Sequence, residues 1–218
     1  ALVGESGGGK STVANLIARF WDVSEGSVTV GGVDVRKLDY ADWMKHISIV
    51  FQDTNLFKMS VAENVAMYKP GASREEIMEA LRQARCEDIL EKLPNGVDSV
   101  IGARGVYLSG GEMQRIALAR AILKDAPIVL LDEATAFADA ENEYLIQRAL
   151  DILLHGKTVL MIAHRLQTIV HADQIIVMQR GGIAEQGTHE ELMQRQGVYA
   201  KMYHEYENSV SWKIGGWA

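Results

Sequence analysis

The 218-residue chain has a single cysteine, Cys86, so no internal disulfide is possible, which suits a reducing compartment. It also lacks a basic excess: 22 Lys and Arg against 29 Asp and Glu give a formal net charge of −7 and a pI near 5.4. Affinity for a phosphate backbone comes from surplus positive charge, so nucleic acid is not the expected partner. No apolar run approaches the ~20 residues that a membrane-spanning helix requires, and no secretory leader is visible. Low-complexity tracts and internal repeats are missing as well. The chain is therefore expected to be soluble by itself. At 48 % hydrophobic residues it can bury a full core as one domain.

What is present begins almost at once. Residues Gly4-Glu5-Ser6-Gly7-Gly8-Gly9-Lys10-Ser11 have the GxxxxGK(S/T) spacing of a phosphate-binding loop. Glycine amides at that spacing curl around the β- and γ-phosphates of a nucleotide. Lys10 adds a point charge, and the Ser11 hydroxyl is suited to Mg²⁺. Thr12 completes the expected ATP-binding segment. The apolar stub Ala1-Leu2-Val3 precedes the loop, and a stretch with Val13, Leu16, Ile17 and Phe20 on one face follows it. This predicts strand, loop, then a helix over about Ser11 to Phe20 whose dipole points at the phosphates. A chance glycine-rich turn has no reason to carry those flanks.

Ile128-Val129-Leu130-Leu131-Asp132-Glu133 is apolar without alternation until its last two residues. That pattern suits a strand buried on both faces of a parallel sheet. Ligands of open α/β sheets bind at the carboxyl ends of the strands, where the two carboxylates fall. Asp132 is read as a Mg²⁺ group and Glu133 as the carboxylate facing the attacking water; the plainer reading is a solvated acidic turn.

Leu108-Ser109-Gly110-Gly111-Glu112 leads into an apolar-rich run from Met113 to Ala121. Ser109 with Glu112 three residues on is a capping-box pattern, which alone means only a well-started helix. Bare glycine backbone at a helix N-terminus is also a second anion site. One nucleotide needs only the first.

Here the chain resembles the nucleotide-binding domain of ATP-binding cassette (ABC) transporters, over nearly all its length. Leu108 to Glu112 is similar to the family signature LSGGQ, with Glu112 replacing the final Gln. Gln52, in Ile49-Val50-Phe51-Gln52-Asp53, resembles the Q-loop glutamine. Asp139, in Ala136-Phe137-Ala138-Asp139, falls at the D-loop aspartate, and His164, after Met161-Ile162-Ala163, at the switch histidine. The resemblance implies ATP and Mg²⁺ as cofactors, with Gln52 joining Ser11 and Asp132 at the metal. It implies that Gln52, Glu133 and His164 serve hydrolysis and that Asp139 carries communication between two domains. It further implies a partner domain, a second copy or a different cassette. Each ATP would then lie between one P-loop and the other domain's Leu108–Glu112 segment.

Leu93-Pro94-Asn95-Gly96-Val97-Asp98 and Ile101-Gly102-Ala103-Arg104-Gly105 resemble the stretch by which exporter-type members sense their transmembrane domains. Those domains are the implied partners, and the cytoplasmic face of a membrane (plasma or inner membrane in a bacterium) the implied location. Ala103 stands where the family usually has Glu, and the D-loop departs from Ser-Ala-Leu-Asp while keeping Asp139. A soluble ABC ATPase of DNA repair or chromosome structure is the main rival. Those proteins insert a long coiled coil between P-loop and signature, whereas here only about a hundred residues without heptads intervene. An ABC-type translation factor is a further rival, against which the acidic balance speaks, and an importer subunit stays open within the transporter class.

The fold expected is α/β: a P-loop NTPase core with a mostly parallel sheet, an inserted helical subdomain at about 53–125, and C-terminal helices and tail at about 188–218. Strands are expected at Val28–Val30, Ile47–Val50, Ile128–Leu131, Thr158–Ile162 and Ile175–Met178, with a hairpin at Gly181-Gly182. Thr188 is expected to cap a helix, and an amphipathic stretch runs from Val198 to about Tyr206. The family's antiparallel β region, with its adenine-stacking aromatic, has no counterpart before Ala1. Residues 1–218 are therefore expected to be one N-terminally truncated ATPase domain. Asn208–Ala218, with Trp212 and Trp217, is expected to be a loose tail.

Overall fold

The computed structural model describes residues 1–51, 55–102, 106–132, 140–163 and 165–215. Leu2–Val3 (β1) and Lys10–Ile17 (α1) are followed by a ribbon of Thr29–Val30 (β2) and Val33–Asp34 (β3). Tyr40–Lys45 (α2) leads into Ile47–Val50 (β4), and Met59–Ser60 (β5) into Val61–Ala66 (α3), Arg74–Gln83 (α4) and Glu87–Lys92 (α5). Val100–Ile101 (β6) precedes Gly110–Lys124 (α6), Ile128–Asp132 (β7) and Ala140–Leu154 (α7). The chain closes through Thr158–Ile162 (β8), Ile175–Gln179 (β9), Gly182–Gly187 (β10), His189–Arg195 (α8) and Val198–Gly215 (α9). No helix among the described residues is long and apolar enough to cross a membrane. The chain divides into two compact units, Ala1–Lys37 with Leu160–Ala218, and Leu38–Val159.

In the first unit β1 lies between β8 and β9, parallel to both, and β10 pairs antiparallel with β9. Successive strand residues face opposite sides. Leu2 packs with Ile162, Met178, Val13 and Ala14, while Val3 joins Val177, Ile169, Leu192 and Tyr199. Both β1 residues are buried, which is why the stub shows no polar alternation. Helix α1 stops at Ile17, short of the expected Phe20. Arg19 takes a left-handed backbone (φ 57°) and its amide donates to Leu16 O, which closes the helix. Phe20 is consequently exposed rather than part of the apolar face.

Thr188 caps α8 as expected, in a box with Glu191. Helix α9 runs to Gly215, beyond the expected Tyr206, because no proline or glycine interrupts residues 198–214. Its start is tied to the sheet. Glu185 on β10 accepts hydrogen bonds from Val198 N (2.8 Å) and Tyr199 N (2.9 Å). Gly197 leaves the room, since a Cβ there would come within 1.7 Å of Glu185 Oε1. A carboxylate on the first amides of a helix acts as cap and as dipole partner. Glu185→Ala is expected to cost about 1 kcal/mol, the usual worth of a cap, and to loosen α9. Thermal unfolding with limited proteolysis checks this; an unchanged midpoint with an equally protected helix would refute it.

The second unit is organised around α6, which packs on α3, α4 and α7. Its buried residues lie all round the helix rather than in one stripe, as expected of a helix enclosed by others. Asn64 of α3, fully buried, holds Phe57 N and O and receives the guanidinium of Arg120 at its carbonyl and side-chain oxygens. That buried polar group is thereby satisfied. Cys86 is enclosed before α5, and burial pushes its thiol up to about 12, so it stays protonated and inert. β4 and β7 pair in parallel, Ile47 with Ile128 through Val50 with Leu131. The α/β class with a mostly parallel sheet is thus found: β1/β8, β1/β9 and β4/β7 are parallel, and the antiparallel β9/β10 pair is a hairpin.

Candidate nucleotide-binding site

The phosphate loop grows directly out of the carboxyl end of β1. Gly4 must turn there with almost no space. Its φ is 137°, and a Cβ would meet the Met178 carbonyl oxygen of β9 at 2.1 Å. Any other residue would have to push the neighbouring strand away. The loop then tightens through Gly8 N to Glu5 O (3.1 Å), and Gly9, left-handed at φ 97°, opens α1 without any side-chain cap. The first-turn amides of α1 therefore have no capping side chain and present the positive end of the helix. Lys10 is buried, and its ammonium donates to the carbonyls of Gly4 (2.8 Å) and Glu5 (2.9 Å). The charge is thus held within the concavity of the loop itself. Ser6, Gly7, Ser11 and Thr12 are exposed around it.

Within the same unit, Leu2 is in register with Ile162, and Ala163 N donates to Leu2 O (3.1 Å). The residue after Ala163 is His164, which itself lies outside the described residues, as do Gln52, Glu133 and Asp139. In the second unit the Val50–Leu131 register puts Phe51 and Asp132 at one end of the β4/β7 pair. Asp132 is half-buried there. Val50 and Asp132, the last residues of β4 and β7, are therefore neighbouring strand ends.

The signature segment is the start of α6. Ser109 Oγ accepts from Glu112 N, and Glu112 in turn accepts from Ser109 N, so the capping box is closed. Leu108 is core, Gly110 is exposed, and Tyr107 just ahead of them is, among the described residues, the most exposed large apolar side chain, at 90 %. Gly111 has a reason of its own: a Cβ there would meet Asn142 of α7 at 2.7 Å.

These local geometries coincide with the outcome of comparison. The family model described as "ABC transporter" matches residues 1–136. The chain belongs to the ABC transporter family.

It is 49 % identical over 203 residues to an ATP-dependent lipid A-core flippase of Legionella pneumophila, covering 93 % of this chain and 34 % of that protein. To the mycobactin import ATP-binding/permease protein IrtA of Mycolicibacterium smegmatis it is 52 % identical, covering 93 % of this chain and 24 % of the other. A solved structure of a bacterial Atm1-family ABC exporter with ATP bound superposes with a TM-score of 0.86 at 41 % identity, over 94 % of this chain and 36 % of that one. The chain therefore spans about a third or less of the length of these relatives. Within the family, this chain is an ATP-binding domain.

Two residues of this ABC domain gave no sign in the sequence. Met178 forms the floor under Gly4 and Gly8 through its carbonyl, yet reads only as one more apolar strand residue. Lys92, at the end of α5, donates to the Glu112 carboxylate at 3.1 Å across 20 positions of chain, a span no local periodicity links.

Proposed function

We propose that the chain is the ATP-hydrolysing domain of an exporter-type ABC transporter and drives transmembrane domains through cycles of closing on ATP and opening after hydrolysis. The observation that carries this is the uncapped start of α1 with Lys10 held inside the loop, an anion cradle built from backbone and one buried cation. The relatives' names, a flippase and an import permease, favour membrane transport over a soluble ATPase. Gly4 to Thr12 would bind the phosphates. Ser11, Gln52 and Asp132 would hold Mg²⁺; a hydroxyl, an amide and a carboxylate suit an ion that keeps water and phosphate oxygens as its other ligands. Bound there, the ion would neutralise phosphate charge. Glu133 would polarise the attacking water, Lys10 and the loop amides would meet developing charge, and His164 would contact the γ-phosphate. Such catalysis is positioning and electrostatics rather than covalent chemistry. Asp139 would link two domains, each closing its Leu108–Glu112 segment on the other's ATP at the cytoplasmic face of the membrane. Residues 1–218 would act as one ATPase domain, with 53–125 as its helical part.

Phosphate release by the full-length polypeptide with ATP and Mg²⁺ tests the reading, and His164 sharpens it. Its strand end lies beside that of β1, so His164→Ala is expected to lower turnover at saturating ATP with little change in melting temperature. No hydrolysis in the wild type would sink the proposal. A large melting-temperature drop with normal specific activity would make His164 structural.

A further inference from the structure

Glu112 is where the signature departs from the family's glutamine, and its surroundings give that departure a consequence. The carboxylate closes the cap of α6, with Oε2 accepting from Ser109 N at 2.8 Å. A neutral glutamine closes the same box, so the charge is not needed for the cap. Near a phosphate it would be a liability, because like charges brought together across an interface repel. Partial burial also pushes the Glu112 carboxyl up, but the Ser109 amide, Lys92 and the Ser109 hydroxyl outweigh it and hold the group lowered, hence ionised at neutral pH.

Lys92 answers that charge. Its Nζ donates to Glu112 Oε1 at 3.1 Å and stands 3.8 Å from Asp88. Asp88 in turn takes both terminal nitrogens of Arg115, at 2.6 and 2.9 Å, and Arg115 is 1 % exposed. Charges therefore alternate from Arg115 through Asp88 and Lys92 to Glu112. The far end of this row is anchored in the packed interior of the helical region, and the near end is the signature.

We propose that Lys92 is a positioning residue of the composite site: by pairing with Glu112 it neutralises the carboxylate that would otherwise oppose the γ-phosphate of a partner's ATP. The inference rests on the head-to-tail sandwich reading above. A structural role is the competing account, in which the pair only staples α5 to α6. The two accounts diverge in a double variant. Removing both charges restores neutrality but not the staple.

The experiment is an ATP titration of dimer formation by light scattering. It uses Glu133→Gln polypeptide extended upstream of Ala1 by the family's β region. Lys92→Met is expected to raise the ATP concentration for half-maximal dimer roughly fivefold, the upper range for a partly exposed ion pair. Lys92→Arg, and Lys92→Met combined with Glu112→Gln, are expected to return it to the starting value. If the double variant remains as impaired as Lys92→Met, or if Lys92→Met leaves the midpoint unmoved, the inference is overturned while the sandwich stands. A background polypeptide that never dimerises with ATP removes the sandwich and this inference together.

Discussion

Glu133→Gln in the full-length polypeptide is expected to retain ATP binding and to lower phosphate release ~10²–10⁴-fold, the worth of a positioned general base. The position follows Asp132, at the carboxyl end of a strand with Val129, Leu130 and Leu131 all buried. A strand so enclosed has little freedom, so its last residue, Asp132, is held by rigid structure, and Glu133 is the next residue in the sequence. Glutamine keeps the size and one oxygen acceptor but cannot take a proton at neutral pH. A loss confined to turnover, with unchanged nucleotide affinity, identifies the chemical step. Wild-type phosphate release from Glu133→Gln would remove Glu133 from the role and leave it as the solvated end of a turn.

The parts of this site that could be read from the sequence share one property: their meaning is local. Gly4 to Ser11 specify a loop because spacing and flanks agree. Ser109 with Glu112 and Thr188 with Glu191 specify caps because the partner lies three residues away. The apolar stub Ala1-Leu2-Val3 reads as a strand because a loop signal follows it at once. Where the sequence misled or was silent, an unforeseen backbone conformation or a distant contact decided. The end of α1 depends on Arg19 entering a left-handed conformation, which no propensity forecasts for arginine. The Met178 carbonyl that makes Gly4 obligatory comes from a strand more than a hundred residues on. Lys92 is indistinguishable in sequence from any solvated lysine at a helix C-terminus, where its charge already has a plain explanation in the dipole. Gly111 is a case of two sufficient reasons. A motif reading assigns it to bare backbone for a partner's phosphate, and the fold assigns it to close approach of Asn142.

That double duty determines how the composite site has to be tested. Substituting Gly111 would collide with α7 of its own chain, so a loss of dimerisation there would say nothing about nucleotide. Ser109 is the better probe. It is only half-buried, and beside it Gly110 is exposed, so a long side chain can leave the surface without displacing core. With the upstream β region present, Glu133→Gln polypeptide is expected to be dimeric with ATP and monomeric with ADP or without nucleotide, since blocked hydrolysis traps the closed state. Adding Ser109→Arg is expected to abolish the ATP-dependent dimer while each P-loop still binds nucleotide. The bulk of arginine, not lost charge complementarity, does the blocking, because added positive charge would by itself favour a phosphate. Loss of the Ser109 cap costs about 1 kcal/mol of helix stability at most sites, so a melting curve separates a weakened fold from a blocked interface. Light scattering decides the rest. One mass in all three nucleotide conditions would count against a self-sufficient homodimer and point to a different second cassette. A dimer that persists in Ser109→Arg would show that α6 does not face the partner's nucleotide at all.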